Sequence, residues 1–274
     1  MNQMIKKIYP VEKNFKYKIQ DLYLNPLFYK HSKAYRPLYY ANFLSSFDGR
    51  IATYNKKNKL LLTPNNIKNR EDYSLFCQLH AQCDCLVTNT QYINGLNKGY
   101  YGDILSINNL KLENWRLKNN LPKQKIIILS NSLNFPINKI LEKYKNQISI
   151  LTTSNSLKKI NRFKEKDFNI IKYKGKNITP AMLNRFVLKN KLKCVYFVAG
   201  PRIVEQMISK NLLDKLYCSI SMSLAGTENY DKIIRGDFLK KFTNLNLREM
   251  YIGTVKKNKD QIQTLYQVFD LKGK

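Results

Sequence analysis

The stretch that decides the fold is Cys194-Val195-Tyr196-Phe197-Val198-Ala199-Gly200-Pro201-Arg202-Ile203. Five apolar, largely β-branched or aromatic residues predict a buried strand. Ala199-Gly200-Pro201 breaks it, and Arg202 to Lys210 then carries helical spacing. A strand that runs straight into a helix is the repeating unit of a parallel α/β sheet.

The same alternation extends outward in both directions. Upstream, Thr179-Pro180 marks a helix start, because threonine caps and proline suits the first helical position. That helix is predicted to run to about Asn190. Lys125 to Leu129 and Ile148 to Leu151 read as buried strands, with a short helix over Ile137 to Tyr144 between them. Cys85-Leu86-Val87 follows a helix over residues 71–82, where Leu75, Phe76 and Leu79 recur at helical spacing. Leu38 to Ser46 is the first strong strand, and Asp48-Gly49 supplies the turn after it. Asn94 to Lys123, with Gly95, Gly99, Gly102 and Pro122, reads as loop-rich. Downstream, Lys215 to Ser221 predicts another strand. Leu245 to Thr254 and Gln261 to Phe269 predict a hairpin turning at Lys256 to Asp260. The expectation is an α/β fold with a mainly parallel central sheet and an antiparallel C-terminal hairpin. Residues 1–35 are read as an extension that packs on the domain or frays, and residues 36–274 as one domain.

Composition sets limits. A chain of 274 residues with 43% hydrophobic content is long enough to bury a large core. It has no apolar run of about 18 residues and no apolar segment near its start of the kind a secretory signal needs, so a cytoplasmic protein without a membrane span is expected. Cys77, Cys83, Cys85, Cys194 and Cys218, with only His31 and His80, do not match zinc spacing, so buried reduced thiols and no metal are expected. The net charge of +29 is spread along the whole chain, in clusters such as Lys56-Lys57 and Lys158-Lys159. Scattered charge favours attraction to a phosphate-bearing small molecule over specific nucleic-acid binding.

Candidate chemistry sits where strands end. Ligands of open α/β sheets bind beyond the carboxyl ends of the strands. Four strands here end in small polar residues: Ser45-Ser46, Thr88-Asn89-Thr90, Ser130-Asn131 and Thr152-Thr153. Gly200 lets backbone approach a ligand, and the helix after it directs free N–H groups toward phosphate, with Arg202 as a charged contact. The segment is not G-x-G-x-x-G. No G-x-S-x-G, Ser-His-Asp order or H-E-x-x-H is present, and His80 reads as a helix-face residue. Hydride transfer needs no protein nucleophile, so scarcity of catalytic side chains suits a reductase.

Three segments carry a family resemblance. Asn42 to Ala52 resembles the S-x-D-G-R-x-A segment of the riboflavin-biosynthesis reductases, the C-terminal domains of bifunctional deaminase-reductases. Leu79 to Thr90 resembles their helix-into-strand segment, and Val195 to Gly226 their G-P-x-L helix, L-L-D-K-L lead-in and S-L-A-G close. The resemblance spans about residues 36–270. It implies a dihydrofolate reductase-like three-layer fold, NADPH as cofactor, a ribosylaminopyrimidine phosphate or related pyrimidine- or pterin-like heterocycle as substrate, and a homodimer. By the same resemblance Ser45, Thr90, Ser130, Gly200, Pro201, Arg202 and Ile203 line the NADPH site, and Asp48 supports it. No deaminase zinc ligands are present. The family's acidic residue before the glycine-proline step is Val198 here. Its acidic pair after the first polar strand end is absent from Asn94 to Gly99, and its tryptophan before the S/T-P step is missing from Lys59 to Pro64. The alternatives left open are a nucleotide-binding relative without activity and a basic nucleic-acid-binding protein.

Overall fold

The computed structural model describes residues 4–12, 16–57, 60–234, 243–257 and 260–271. Its first elements are β1 (Met4–Tyr9), β2 (Lys16–Lys18), α1 (Pro26–His31), β3 (Leu38–Ser46), β4 (Arg50–Asn55), β5 (Leu60–Leu62) and α2 (Arg70–Gln82). Then come β6 (Cys85–Asn89), α3 (Thr90–Asn97), α4 (Leu110–Lys118), β7 (Lys125–Leu129), α5 (Lys139–Lys143), β8 (Ile148–Thr152), α6 (Leu157–Lys164) and β9 (Asn169–Lys172). The last are α7 (Pro180–Lys189), β10 (Cys194–Phe197), α8 (Pro201–Ser209), β11 (Lys215–Ser221), β12 (Tyr230–Lys232), β13 (Asn246–Lys257) and β14 (Asp260–Asp270). The α/β class, the mainly parallel pairing and the antiparallel C-terminal hairpin are those the sequence predicts. The predicted turn residues Asn258 and Lys259 lie outside the described residues.

The chain forms two compact units. One comprises residues 1–24, 40–79 and 201–274; the other comprises residues 25–39 and 80–200.

The second unit is the parallel half, with strands in the order β10-β6-β7-β8-β9. Its strands are continuous apolar runs because both faces are covered. Leu86, Val87, Ile127, Ile128, Ile150, Val195 and Tyr196 are fully buried. The strands are pinned at their starting ends. The Asp84 carboxylate accepts the Lys193 and Cys194 amides, each at 2.9 Å. Burial raises the pKa of Asp84, and these two amide bonds work against that rise.

Two helices in this unit lie where the sequence predicts loop. α3 begins at the end of β6 because Asn89 caps it, accepting the Tyr92 amide at 3.0 Å. Gly95 inside that helix makes room for Tyr101, whose ring would lie 2.2 Å from any added Cβ. α4 is capped by Asn109 and has little apolar face; Leu112 and Arg116 are its buried residues. Arg116 holds it, donating to the carbonyls of Ala81 at 2.6 Å and Cys83 at 2.7 Å and to that of Pro122. A buried guanidinium bonded to carbonyls does the anchoring that apolar periodicity normally signals.

The first unit orders its strands β2-β1-β13-β14-β11-β3, with a separate sheet β12-β4-β5. β11 runs parallel to β3 and antiparallel to β14. β1, drawn from the first 35 residues, pairs antiparallel with β13. Gly253 allows that approach: a Cβ there would meet Ile5 Cγ2 at 2.9 Å. Lys7, 8% exposed, is salt-bridged to Glu12 at 2.5 Å and lies over the rings of Tyr17 and Tyr251.

His80 closes α2 in the second unit. It is fully buried, near the Tyr196 ring, and burial followed by the charge of Arg116 lowers its pKa to about 3. The unfolded chain protonates this histidine near pH 6.5. The folded chain refuses that proton until about pH 3, so the contribution is complete above pH 6.5 and lost progressively on acidification. His80→Leu is expected to reduce the stability difference between pH 7 and pH 5 by about 2 kcal/mol relative to wild type. Urea unfolding at the two pH values measures this, and an identical difference in both proteins would remove the assignment.

Candidate functional site

In the second unit the polar ends of four parallel strands lie along one rim. β6 is the middle of the arrangement. The chain leaving it turns toward β7, while its other neighbour, β10, is reached only after β7, β8 and β9. Such a reversal of strand order opens a crevice beyond the carboxyl ends of the two adjacent strands. Asn89 closes β6 at that point, and Gly200 follows β10. A Cβ on Gly200 would meet only Asn89 Nδ2, at 3.8 Å, so the backbone there is open to close approach.

The next strand ends are joined by side chains. Thr90 Oγ1 donates to Ser130 Oγ at 2.8 Å, and Ser130 Oγ also accepts the Leu133 amide at 2.9 Å. Since Ser130 accepts in both bonds, neither of them uses its own hydroxyl proton. The bond to Leu133 holds that residue in the left-handed region, φ 55°, which a leucine rarely adopts. Arg162 braces the same loop, donating to the carbonyls of Leu133 at 3.2 Å and Phe135 at 2.8 Å. Asn131 Oδ1 accepts the Ile178 amide at 2.9 Å, and Thr153 Oγ1 donates to the Lys176 carbonyl at 3.2 Å. The rim is thus tied to the segment that Thr179 caps into α7. Thr88, fully buried on β6, has a hydroxyl with no hydrogen-bond partner among the described residues.

The first unit holds the other sequence-predicted residues. Ser45, 2% exposed, lies on β3 opposite Ile220 of β11. Pro201, Arg202 and Ile203 open α8; Pro201 is buried and Arg202 exposed. Asp48 is the hub of a turn. Its carboxylate accepts the Ser46 hydroxyl at 2.5 Å, the Ala225 amide at 3.2 Å and the Gly226 amide at 3.0 Å. Arg50 is paired with it at 2.7 Å, donates to the Thr227 carbonyl at 3.2 Å and lies 4.4 Å from the Tyr230 ring centroid. Gly49 at φ +82° and Gly226 at φ +53° supply the left-handed backbone this turn-and-loop pair requires.

Each unit therefore groups its own share of the predicted residues. Thr90 and Ser130 are in contact, with Gly200 beside Asn89. Asp48 and the Ser223–Thr227 loop form a second group. Asn89, Asn131 and Arg50 have positions in these groups that strand-end composition did not single out. Asn89 was legible as a strand-end residue preceding a helix, since asparagine is a preferred cap. The left-handed Leu133 had no sequence signal, because leucine does not announce that backbone. Among the described residues no group of three or more His, Cys, Asp or Glu is placed to hold a metal ion, and no helix is long and apolar enough to cross a membrane. The five cysteines are buried free thiols.

The Ser46 hydroxyl, the two loop amides and Arg50 hold the Asp48 carboxylate down to a pKa of about 2. A lowered folded value means the anchoring is complete above the unfolded carboxylate range and is lost as pH falls from about 4 to 2. Asp48→Ala is expected to reduce amide-exchange protection of Ala225 and Gly226 at least tenfold near neutral pH, roughly the worth of one charge-assisted hydrogen bond. Residue-resolved hydrogen exchange reports it, and unchanged protection would show that the carboxylate does not hold the loop.

Comparison with known proteins follows the same division of cofactor-like rim and braced turn. The profile of the RibD C-terminal domain matches residues 37–257. No curated protein sequence matches the chain. Among solved structures, a pyrimidine reductase-like protein from Corynebacterium diphtheriae superposes with TM-score 0.69 at 16% identity, covering 91% of this chain and 98% of that one. Acinetobacter baumannii RibD gives 0.57 at 14% identity, over 85% of this chain but 58% of that one. The riboflavin biosynthesis reductase Rib7 of Saccharomyces cerevisiae gives 0.54 at 12% identity, over 92% and 97%. These likenesses bear out the dihydrofolate reductase-like α/β fold that the sequence implies.

Proposed function

The chain belongs to the RibD C-terminal domain family, and from that premise we propose that it is an NADPH-dependent reductase of a pyrimidine- or pterin-like heterocycle, with or without a ribosyl phosphate. The observation that carries the reading is the reversal of strand order at β6 and β10, where Asn89 and the unobstructed backbone of Gly200 meet. This is where α/β sheets take nucleotides.

The residues present suit the cofactor. Thr90 and Ser130 offer hydroxyls at the rim, and Gly200 offers backbone free of any side chain. Pro201, Arg202 and Ile203 open a helix whose first amides and positive dipole end favour phosphate, and exposed Arg202 adds charge. Ser45 completes the proposed lining, while Asp48 supports it through the Ser223–Thr227 loop rather than by chemistry of its own. When bound, the cofactor supplies hydride to an electrophilic carbon of the substrate. The protein's part is to orient the two and to keep water out. The excess of lysine draws phosphate-bearing ligands toward the surface without a dedicated nucleic-acid groove. The same reading takes the chain as a cytoplasmic homodimer with residues 36–274 as the reductase domain.

Titration with NADPH and then NADH, followed by quenching of Trp115 and by cofactor fluorescence, tests the proposal. Saturable micromolar binding that favours NADPH is expected; folded protein that binds neither would overturn it. Two variants locate the site. An added side chain at Gly200 meets only ordinary contact in the fold, so Gly200→Val should stay folded and lose NADPH affinity through ligand collision alone. Arg202→Ala should weaken NADPH by about 1.5–3 kcal/mol, the worth of a hydrogen bond to a charged group. Wild-type affinity in both variants would move the site elsewhere.

A further inference from the structure

The first unit contains a group of polar side chains that the cofactor reading does not use. Asp72 stands in the first turn of α2, its amide bonded to the Asn69 side chain at 2.7 Å. The residue is partly exposed, yet its Oδ1 is sealed from solvent and has no hydrogen-bond partner among the described residues. Glu71 Oε2, Thr264 Oγ1 and the hydroxyls of Tyr266 and Tyr23 share that condition. Thr264 and Tyr266 are fully buried and Tyr23 is 7% exposed.

These groups face one another. In the β11–β14 register Ser219 lies opposite Tyr266 and Ser221 opposite Thr264, so the four side chains share one face of the sheet. After burial, the larger cause, the charges of Asp72 and Glu71 both raise the pKa of Tyr266, and Asp72 also raises that of Tyr23. Burial likewise raises Asp72 itself, to about 6, against a hydrogen bond from Ser219 that lowers it. Buried polar atoms without partners are rare, and each costs about 1–3 kcal/mol. A group of them around one carboxylate calls for a ligand that brings N–H donors to the carboxylate and acceptors to the hydroxyls.

We propose that Asp72, with Ser219, Thr264 and Tyr266, recognises the heterocycle of the substrate through an amidine edge, a ring N–H beside a 2-amino group. The assignment rests on the reductase reading above and narrows its substrate. A 2-amino-4-oxopyrimidine turns two parallel N–H donors toward a carboxylate, the bidentate geometry that carboxylates favour. Its 4-oxo group and ring nitrogens can accept from the tyrosine and threonine hydroxyls. A uracil edge instead presents one N–H between two carbonyls, which sets carbonyl oxygens against the carboxylate. The site therefore selects the 2-amino heterocycle and repels its 2-oxo counterpart, discriminating by mismatch as well as by contact.

The probes are 2,5,6-triaminopyrimidin-4-one and 5,6-diaminouracil, which differ in the 2-substituent. Each is titrated calorimetrically into the full chain, with and without NADPH. The triamino compound is expected to bind roughly 10–100-fold more tightly, the range for a charge-assisted hydrogen bond, and Asp72→Asn should abolish the preference. Equal affinities, preference for the uracil, binding of neither probe, or a preference that survives in Asp72→Asn would each overturn the assignment. The wild-type comparison stands alone should the variant not fold. NADPH binding in the same samples is read separately: cofactor binding without discrimination between the probes sinks the Asp72 assignment alone, whereas absence of cofactor binding sinks the reductase reading.

Discussion

The carboxylate of Asp84 governs the geometry of the parallel unit. It accepts two consecutive amides at the start of β10 while its own amide donates to the Cys194 carbonyl at 3.1 Å, and its carbonyl accepts the Lys125 amide at 2.8 Å. One residue thus sets β10 and β7 against the two sides of β6. Strand pairing has a strict register, so what is fixed at the start of a strand is fixed at its end. Val195 stands opposite Cys85 and Phe197 opposite Val87, and the Val198 amide extends the ladder to the Val87 carbonyl at 2.9 Å. Gly200 is thereby delivered to Asn89, and Thr90 to Ser130. Arg116 reinforces the same end by tying down the Ala81, Cys83 and Pro122 carbonyls. The rigid base of the strands and the open rim above them are two ends of one constraint.

Buried charge in this protein is therefore mostly spent on backbone. Asp84 and Asp48 bond amides and Arg116 bonds carbonyls, so these ionised groups replace lost hydration with peptide dipoles. Ionised groups bonded in this way avoid the exposed ion pair's screening and its small net worth. Asp48 fixes a loop 177 positions further along the chain, something no local turn chemistry achieves. A surface rich in lysine leaves this interior scheme untouched, because screening decouples scattered surface charge from pairs held inside.

How much of this the sequence discloses follows from which interactions leave a periodic trace. The strands of the parallel unit were legible because burial on both faces demands unbroken apolar runs, as in Ile126-Ile127-Ile128 and Val195-Tyr196-Phe197. Thr179-Pro180 was legible because capping and a fixed proline φ are local. α4 was hidden because Arg116, a charged residue, does the work of an apolar stripe. α3 was hidden because Gly95, a helix breaker by propensity, is retained for the Tyr101 ring. β1 was hidden because its partner, β13, lies more than two hundred residues away and the pairing is secured by Gly253 and the Lys7 cluster. In the candidate site the same divide applies. Hydroxyls at strand ends are visible as composition, whereas the contact between Thr90 and Ser130, 40 residues apart, exists only after the strands are aligned.

The two halves of the proposed site differ in how their polar groups are satisfied, and this difference bears on the family acids the chain lacks. The rim of the parallel unit is bonded largely within itself: Asn89 to its helix, Thr90 to Ser130, Asn131 to Ile178. Such a rim is preorganised and loses little on meeting a cofactor. The polar group around Asp72 is the reverse, a carboxylate and three hydroxyls whose bonding capacity the described residues leave unfilled. A protein that had merely shed its substrate chemistry would gain stability by replacing these groups with apolar ones, because nothing within the fold repays their burial. They are retained together on one face, between α2 and the β11–β14 pair. With Val198 and the Asn94–Gly99 segment empty of carboxylates, negative charge has not vanished from the substrate half; it stands on α2 instead. A carboxylate reaching the heterocycle from that helix, with hydroxyls of the antiparallel strands beside it, is a different solution to holding an aminopyrimidine and follows from the same requirement that buried acceptors find donors.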